Sequence, residues 1–171
     1  MKKFLIGTLF IGLASLGFSQ SSIDVMEEVK LSDVAVTPNQ AYLDKVRDGT
    51  ISYRVFTLEK KASRYNIKES PFYNGSGELN TIKFAQKIGN ILATYDPKGK
   101  ILSTSERYKN VSLPQAVRNR VYTEYPGWKM EDNAYLVSYH HKKGTKKMYK
   151  IQVRKDRLKK NLKIDAEGNL L

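Results

Sequence analysis

The sequence predicts an α+β protein in which a helix packs on an antiparallel β-sheet, laid out as two tandem, degenerate α-plus-β-meander units. Three observations carry that expectation. Apolar and polar residues alternate at period two between Ala134 and Arg154. Just before them, from Ser112, apolar residues recur at helical spacing. Landmarks of this second half also recur in the first half at nearly constant offset.

Taken in order, Met1-Lys2-Lys3 and the apolar run from Phe4 to Leu16 lead to the small residues Gly17 and Ser19 and then to polar Gln20-Ser21-Ser22. A positive start, a short apolar stretch and small residues before the cut read as a signal peptide over residues 1–19, cleaved near Ser19. The mature chain is then expected in the periplasm or outside the cell. The run falls short of the ~20 apolar residues a membrane span needs, and the mature chain has no other stretch that qualifies. Residues 20–36 are polar with scattered Ile23, Val25, Met26, Val29 and Leu31, and are expected to form a flexible N-terminal segment or one short helix.

The first α+β unit is placed at 37–109. Thr37 and Gln40 are spaced as a capping box, with Pro38 at the first helical position. Strands are expected near Ile51 to Glu59, Leu79 to Phe84, Asn90 to Tyr95 and Ile101 to Tyr108, with Asn74-Gly75-Ser76-Gly77 as a mobile loop. The second unit is placed at 110–171. Its helix is expected to start at Ser112, boxed with Gln115, and to carry Leu113, Val117, Val121 and Tyr125 on one stripe until Pro126-Gly127. Tyr135, Val137 and Tyr139 then face one way, and Leu136, Ser138 and His140 the other. After a turn at Lys142-Lys143-Gly144-Thr145, Tyr149, Ile151 and Val153 face inward while Lys150, Gln152 and Arg154 face water, the pattern of a sheet with one buried side. Leu162 and Ile164 continue it in a third strand, and Asp165-Ala166-Glu167-Gly168 turns the chain into a terminal stub.

The correspondence between the halves is countable. Val36-Thr37, Gln40-Ala41 and Val46 recur as Val111-Ser112, Gln115-Ala116 and Val121 at an offset of 75. Asp96-Pro97-Lys98-Gly99-Lys100-Ile101-Leu102 resembles Asp165 to Leu171 at an offset of 69. Duplication and a single mixed domain are both compatible with matches this short.

Composition narrows the function classes. There is no cysteine, so a lipobox, a disulfide framework, a thiolate metal site and a cysteine nucleophile are excluded together. The formal net charge is +13, of which Lys2 and Lys3 supply two. From Lys142 to Leu171 eleven Lys or Arg stand against Asp156, Asp165 and Glu167, so the excess is concentrated at the C-terminal end. Such a surface suits an anionic partner, or serves only solubility.

No constellation for catalysis emerges. There is no Gly-x-Ser-x-Gly elbow, phosphate loop or His-Glu-x-x-His pair. His140 and His141 are adjacent, so on a strand they should point to opposite faces and could not chelate one ion together. Glu27-Glu28 and Glu131-Asp132 are sequence neighbours on polar stretches and offer no separation of acid and base roles. Asp96 and Asp165 are read as turn residues rather than calcium ligands. The aromatic group Tyr122, Tyr125 and Trp128 suits core packing or a stacking contact. The lysines Lys147, Lys150, Lys159 and Lys163 with Arg154 could line the wet face of the sheet, where edge lysines also prevent aggregation.

The strings Leu113-Pro114-Gln115-Ala116-Val117 and Tyr125-Pro126-Gly127-Trp128, the strand starts after Asp96, the strand Tyr149-Lys150-Ile151-Gln152-Val153 and the closing Ile164 to Leu171 resemble the PepSY-like family, secreted domains related in fold to the β-lactamase inhibitory protein. The resemblance covers roughly Ala93 to Leu171. It implies a noncatalytic periplasmic or secreted module, a helix on an antiparallel sheet often in tandem, whose relatives are thought to bind or inhibit other proteins. It implies no catalytic residue and no cofactor. The one-sided basic charge between Lys142 and Lys163 departs from the family pattern.

Together these readings predict an exported, noncatalytic module that engages a protein or peptide through the helix-free face of its sheet. The binding residues named by this reading are His140, Lys150, Gln152, Arg154, Lys159 and Lys163, with Trp128 as an aromatic anchor. The alternative is electrostatic binding of an envelope polyanion such as lipopolysaccharide, anionic lipid or nucleic acid.

Overall fold

A computed structural model describes residues 38–171 except 48, 50, 72 and 74. The expected signal peptide, the segment 20–36, the Thr37 cap and Asn74 of the glycine loop lie outside the described residues. Among the described residues the architecture is α+β: three helices packed on a six-stranded antiparallel sheet. The chain runs α1 (Gln40–Val46), α2 (Tyr53–Ser63), a short 3-10 turn (Ile67–Glu69), β1 (Asn80–Gln86), β2 (Gly89–Tyr95), β3 (Ile101–Lys109), α3 (Gln115–Glu124), β4 (Lys129–His140), β5 (Gly144–Lys155) and β6 (Leu158–Asp165). The strands follow one another across the sheet in sequence order. One sheet therefore runs through both halves of the chain, joined where Ser103–Lys109 pairs with Ala134–His140.

Strand β4 alternates as its residues require. Tyr135, Val137 and Tyr139 are buried, as are Tyr149, Ile151 and Val153 of β5 and Leu162 and Ile164 of β6. The inner face carries a row set by register, in which Tyr108, Tyr135 and Tyr149 lie opposite one another and continue into Ile164. Their rings stack at 6.1 and 4.9 Å with 25° between planes, the offset geometry that aromatic neighbours favour. On the other side of Tyr108 the register places Gly89. A Cβ there would clash with the Arg107 carbonyl and stand 2.9 Å from the Tyr108 ring, so the ladder leaves room for no side chain.

The segment Ile51–Glu59 is not a strand. It enters α2, in which Val55, Leu58, Glu59 and Ala62 are buried on one helical face. The spacing from Val55 to Leu58 to Ala62 is the helical period, and Ser52 caps the helix by accepting from the Arg54 N–H. The capping box expected of Ser112 and Gln115 does not form. Helix α1 begins at Gln40, after Asn39, and α3 at Gln115, after an extended Pro114, in both cases with no side-chain cap. Gln115 pairs with Arg118 and with Asn119 along the helix instead. Pro114 explains the late start of α3, because proline holds the residue before it out of the helical region. The stripe itself is as expected, with Leu113, Val117 and Val121 buried and Tyr125 half-buried.

Two buried polar residues fasten helices to sheet. Asn39 donates to the carbonyls of Ser63 (3.3 Å) and Gly99 (3.0 Å) and accepts from Ile101 N–H (2.6 Å), tying α1 to the end of α2 and to the β2–β3 turn. That turn matches the one after β6. Asp96 accepts from the N–H groups of Lys98 and Lys100, as Asp165 accepts from that of Asn169. Gly168, at φ +92, lies under α3 and accepts from Arg120 Nε at 2.8 Å. Both aspartates thus serve turns.

Glu106, only 2 % exposed, points inward from β3. It accepts from Tyr42 of α1 (2.8 Å), Thr104 (2.7 Å) and Tyr108 (2.7 Å). Burial raises its pKa, and the three hydroxyls and the charge of Lys147 offset only part of that rise. A deeply buried carboxyl with a raised pKa is a candidate for chemistry. Here, however, three donors satisfy it beneath α1, and its work is to dock that helix.

This packing sets the cost of three substitutions. Gly89→Ala should destabilise the fold by about 3 kcal/mol, read from urea unfolding, because a methyl group cannot enter the close approach of β2 to Tyr108. Because the folded-state pKa of Glu106 is raised, its stabilising contribution is full below the ordinary carboxyl range and is lost as pH rises through the folded value. The stability of Glu106→Gln relative to wild type, read from urea unfolding, should therefore improve as pH rises above the ordinary carboxyl range. Glu106→Ala, which strands three hydroxyls, should cost about 3 kcal/mol by thermal unfolding.

Candidate functional site

The helices cover one face of the sheet, and alternation sends the other side chains to the open face. On this face the registers define rows. Lys83, Leu92, Ser105, Ser138 and Lys146 form one. Asn90, Arg107, Leu136 and Met148 form the next, followed by Lys109, Ala134, Lys150 and Lys163. Asp132, Gln152 and Asn161 make a further row, and Lys129, Arg154 and Lys159 the last.

Two features stand out among these rows. Leu136 and Met148, paired across β4 and β5, are half-buried, and Leu92, 43 % exposed, stands two strands from Leu136 beyond Ser105 and Arg107 of β3, so apolar side chains lie in the middle of a face that no helix among the described residues covers. Beside them is a depression of about 530 Å³ lined by Arg107, Lys109, Asp132, Ala134, Lys150 and Lys163, among others. Its floor is Ala134, which is buried yet stands outside the hydrophobic core beneath the helices. The small methyl group between Lys109 and Lys150 makes the depression.

The expected residues separate into groups. Lys150, Gln152, Arg154, Lys159 and Lys163 all lie on the open face, as their alternation predicted. Arg154 and Lys159, however, are already engaged. They face each other across β5 and β6, and Glu131, at the bulge of β4, bridges both at 2.9 and 3.1 Å. That pairing holds the Glu131 carboxyl below its usual range, chiefly through the hydrogen bond from Arg154. Gln152 binds Asn161 and Lys159. Lys150, Lys163, Lys109 and Arg107 have no ion-pair partner among the described residues.

Three expectations need correction. His140 ends β4, six residues and therefore about 20 Å along the strand from Ala134, so it is no part of the depression. Its ring and that of His141 do not point apart. The chain leaves the strand at His141, and the rings stack at 5.0 Å with 18° between planes. Desolvation, aided by His141 and by Lys143 and Lys142, holds the His140 pKa below the ordinary imidazole value. Trp128 lies on the helix side, packed against the core and edge-on to Tyr125 at 5.5 Å, with the Lys160 ammonium over both rings. It cannot share a surface with Lys150. Lys147 also faces the helices, opposite Val137, and donates to the Arg47 carbonyl at the end of α1.

Sequence reasoning missed Arg107, Lys109, Ala134 and the outward Leu92 and Met148. Alternation along Ile101–Lys109 would have turned Arg107 and Lys109 outward. Only the pairing of β3 with β4 brings them beside Lys150.

Among the described residues no His, Asp or Glu side chains cluster as a metal site would require, and no helix is long and apolar enough to cross a membrane. No family model matches the sequence, and no curated protein does. Among solved structures the chain is similar to a DUF2874 family protein from Bacteroides ovatus ATCC 8483, at 21 % identity over 61 % of this chain and 78 % of that one, with a TM-score of 0.36.

Proposed function

We propose that this protein is an exported, noncatalytic binding module of the PepSY-like type that engages a protein or peptide partner through the open face of its sheet. The observation that carries the reading is the apolar pair Leu136 and Met148, half-exposed on the open face with Arg107 in their own row and Lys109, Lys146 and Lys150 in the rows beside it. An apolar centre with Met and Arg and a charged rim is the anatomy of a protein interface. A surface for polyanions alone has no use for such a pair. The rim favours a partner with acidic residues around its own apolar contact, through charge complementarity that speeds encounter and selects among partners. Export rests on the N-terminal sequence.

The alternative reading, capture of an envelope polyanion, draws on the cations Lys109, Lys150 and Lys163 that have no ion-pair partner among the described residues. Mutation and salt separate the two. The mature protein is used as bait on envelope and culture fractions at low and moderate salt, beside Leu136→Asp and the double variant Lys150→Gln/Lys163→Gln. A discrete protein retained at moderate salt, and weakened at least about tenfold by Leu136→Asp, is the expected outcome. Capture of anionic glycan or lipid at low salt only, indifferent to Leu136→Asp and lost in the double variant, would sink the protein-binding reading in favour of the polyanion.

A further inference from the structure

Strands β5 and β6 place two pairs of cations directly opposite one another, Arg154 with Lys159 and Lys150 with Lys163. Like charges facing across a ladder destabilise a sheet. At the first pair the protein supplies the remedy, since one oxygen of Glu131 meets Arg154 at 2.9 Å and the other meets Lys159 at 3.1 Å. At the second pair it does not. The β4 residue opposite Lys150 is Ala134, and Lys109 closes the row from the far side. A gap two strand spacings wide, about 9.6 Å, therefore lies between Lys109 and Lys150, over a methyl floor and within the 530 Å³ depression.

We infer that the depression over Ala134 seats one carboxylate of an acidic peptide segment, bridging Lys150 and Lys163 as Glu131 bridges Arg154 and Lys159. The inference rests on the reading that this face binds a protein or peptide, and it names the group that the partner presents. Three observations support that occupant. The lining carries Arg107, Lys109, Lys150 and Lys163 against the single carboxylate Asp132. None of the four cations has an ion-pair partner among the described residues. The apolar pair Leu136 and Met148 borders the row, so a segment with an acidic residue beside apolar ones covers both. A local conflict that the fold leaves uncompensated is where a binding function is to be sought.

The test puts the missing carboxylate into the chain. Ala134→Glu should bridge the lysines internally and raise Tm by about 2 °C over the isosteric neutral Ala134→Gln at low salt, with the gap closing as salt screens it. Amide NMR titration of the wild-type protein with a six-residue oligo-glutamate should give saturable shifts centred on Lys109, Ala134, Lys150 and Lys163. Those shifts should weaken at least about tenfold in Ala134→Glu and in Lys150→Gln/Lys163→Gln. An oligo-glutamine control should give none. The inference is overturned if the shifts spread over basic residues on every face and ignore Ala134→Glu. It is equally overturned if inorganic phosphate, and not the peptide, saturates the row. Retention of a partner that depends on Leu136 while the row stays silent would refute this seat and leave the broader reading of the face standing.

Discussion

The pairing of β3 with β4 is the constraint on which the rest of the structure depends. The seven paired residues from Ser103 to Lys109 join the meander β1–β3 to the meander β4–β6 in one sheet. A continuous sheet has two faces, and side-chain alternation assigns every residue to one of them. The inner face becomes one core, with the tyrosines of β3, β4 and β5 stacked in a row and α1, α2 and α3 laid over it. The outer face becomes one surface. A slip of one residue in this register would turn Tyr135, Val137 and Tyr139 to water and Leu136 inward. The core thus polices the register, and the register in turn determines which cations stand together.

The buried polar groups specify how the helices sit on this core. Asn39 joins α1, α2 and the β2–β3 turn through three hydrogen bonds to backbone, and the hydroxyl of Tyr42 reaches the Glu106 carboxyl from α1. Unmade, such groups cost more than a hydrophobic replacement would, so they penalise any other placement of α1. Across the sheet the reverse holds. The open face keeps cations facing one another with solvent and a depression between them, and the sheet tolerates this because exposed charges repel weakly in water. The same lysines discourage edge-to-edge association of β6. The packed inner face therefore backs an outer one on which like charges stand opposed in solvent.

How much of this was legible in the sequence can be argued residue by residue. Period-two alternation identified β4, β5 and β6 and the inward and outward sets upon them, including Lys150, Gln152, Arg154 and Lys163, because a half-buried strand writes its environment directly into its pattern. The stripe of Leu113, Val117 and Val121 identified α3 for the same reason. The start of α3 departs from the capping-box spacing because Pro114 holds the residue before it out of the helical region. The segment that forms α2 was read as a strand, since it is short and only its contact with β1 and β2 decides which of its residues are buried. Trp128 lies on the helix side because the end of α3 directs it onto the core, and His140 keeps the outward parity of β4 but stands at the far end of the strand from Ala134.

The sequence by itself determined the class of fold, the two faces of the C-terminal strands and the excess of positive charge, because these are properties of local periodicity and composition. Tertiary structure alone decided that the halves share one sheet, that Arg107 and Lys109 stand in rows with Lys150 and Lys163, and that Glu131 neutralises one like-charged pair and leaves the other. Those are facts of register between strands distant in the chain. Register is set by the packing of the whole core, which no single segment contains.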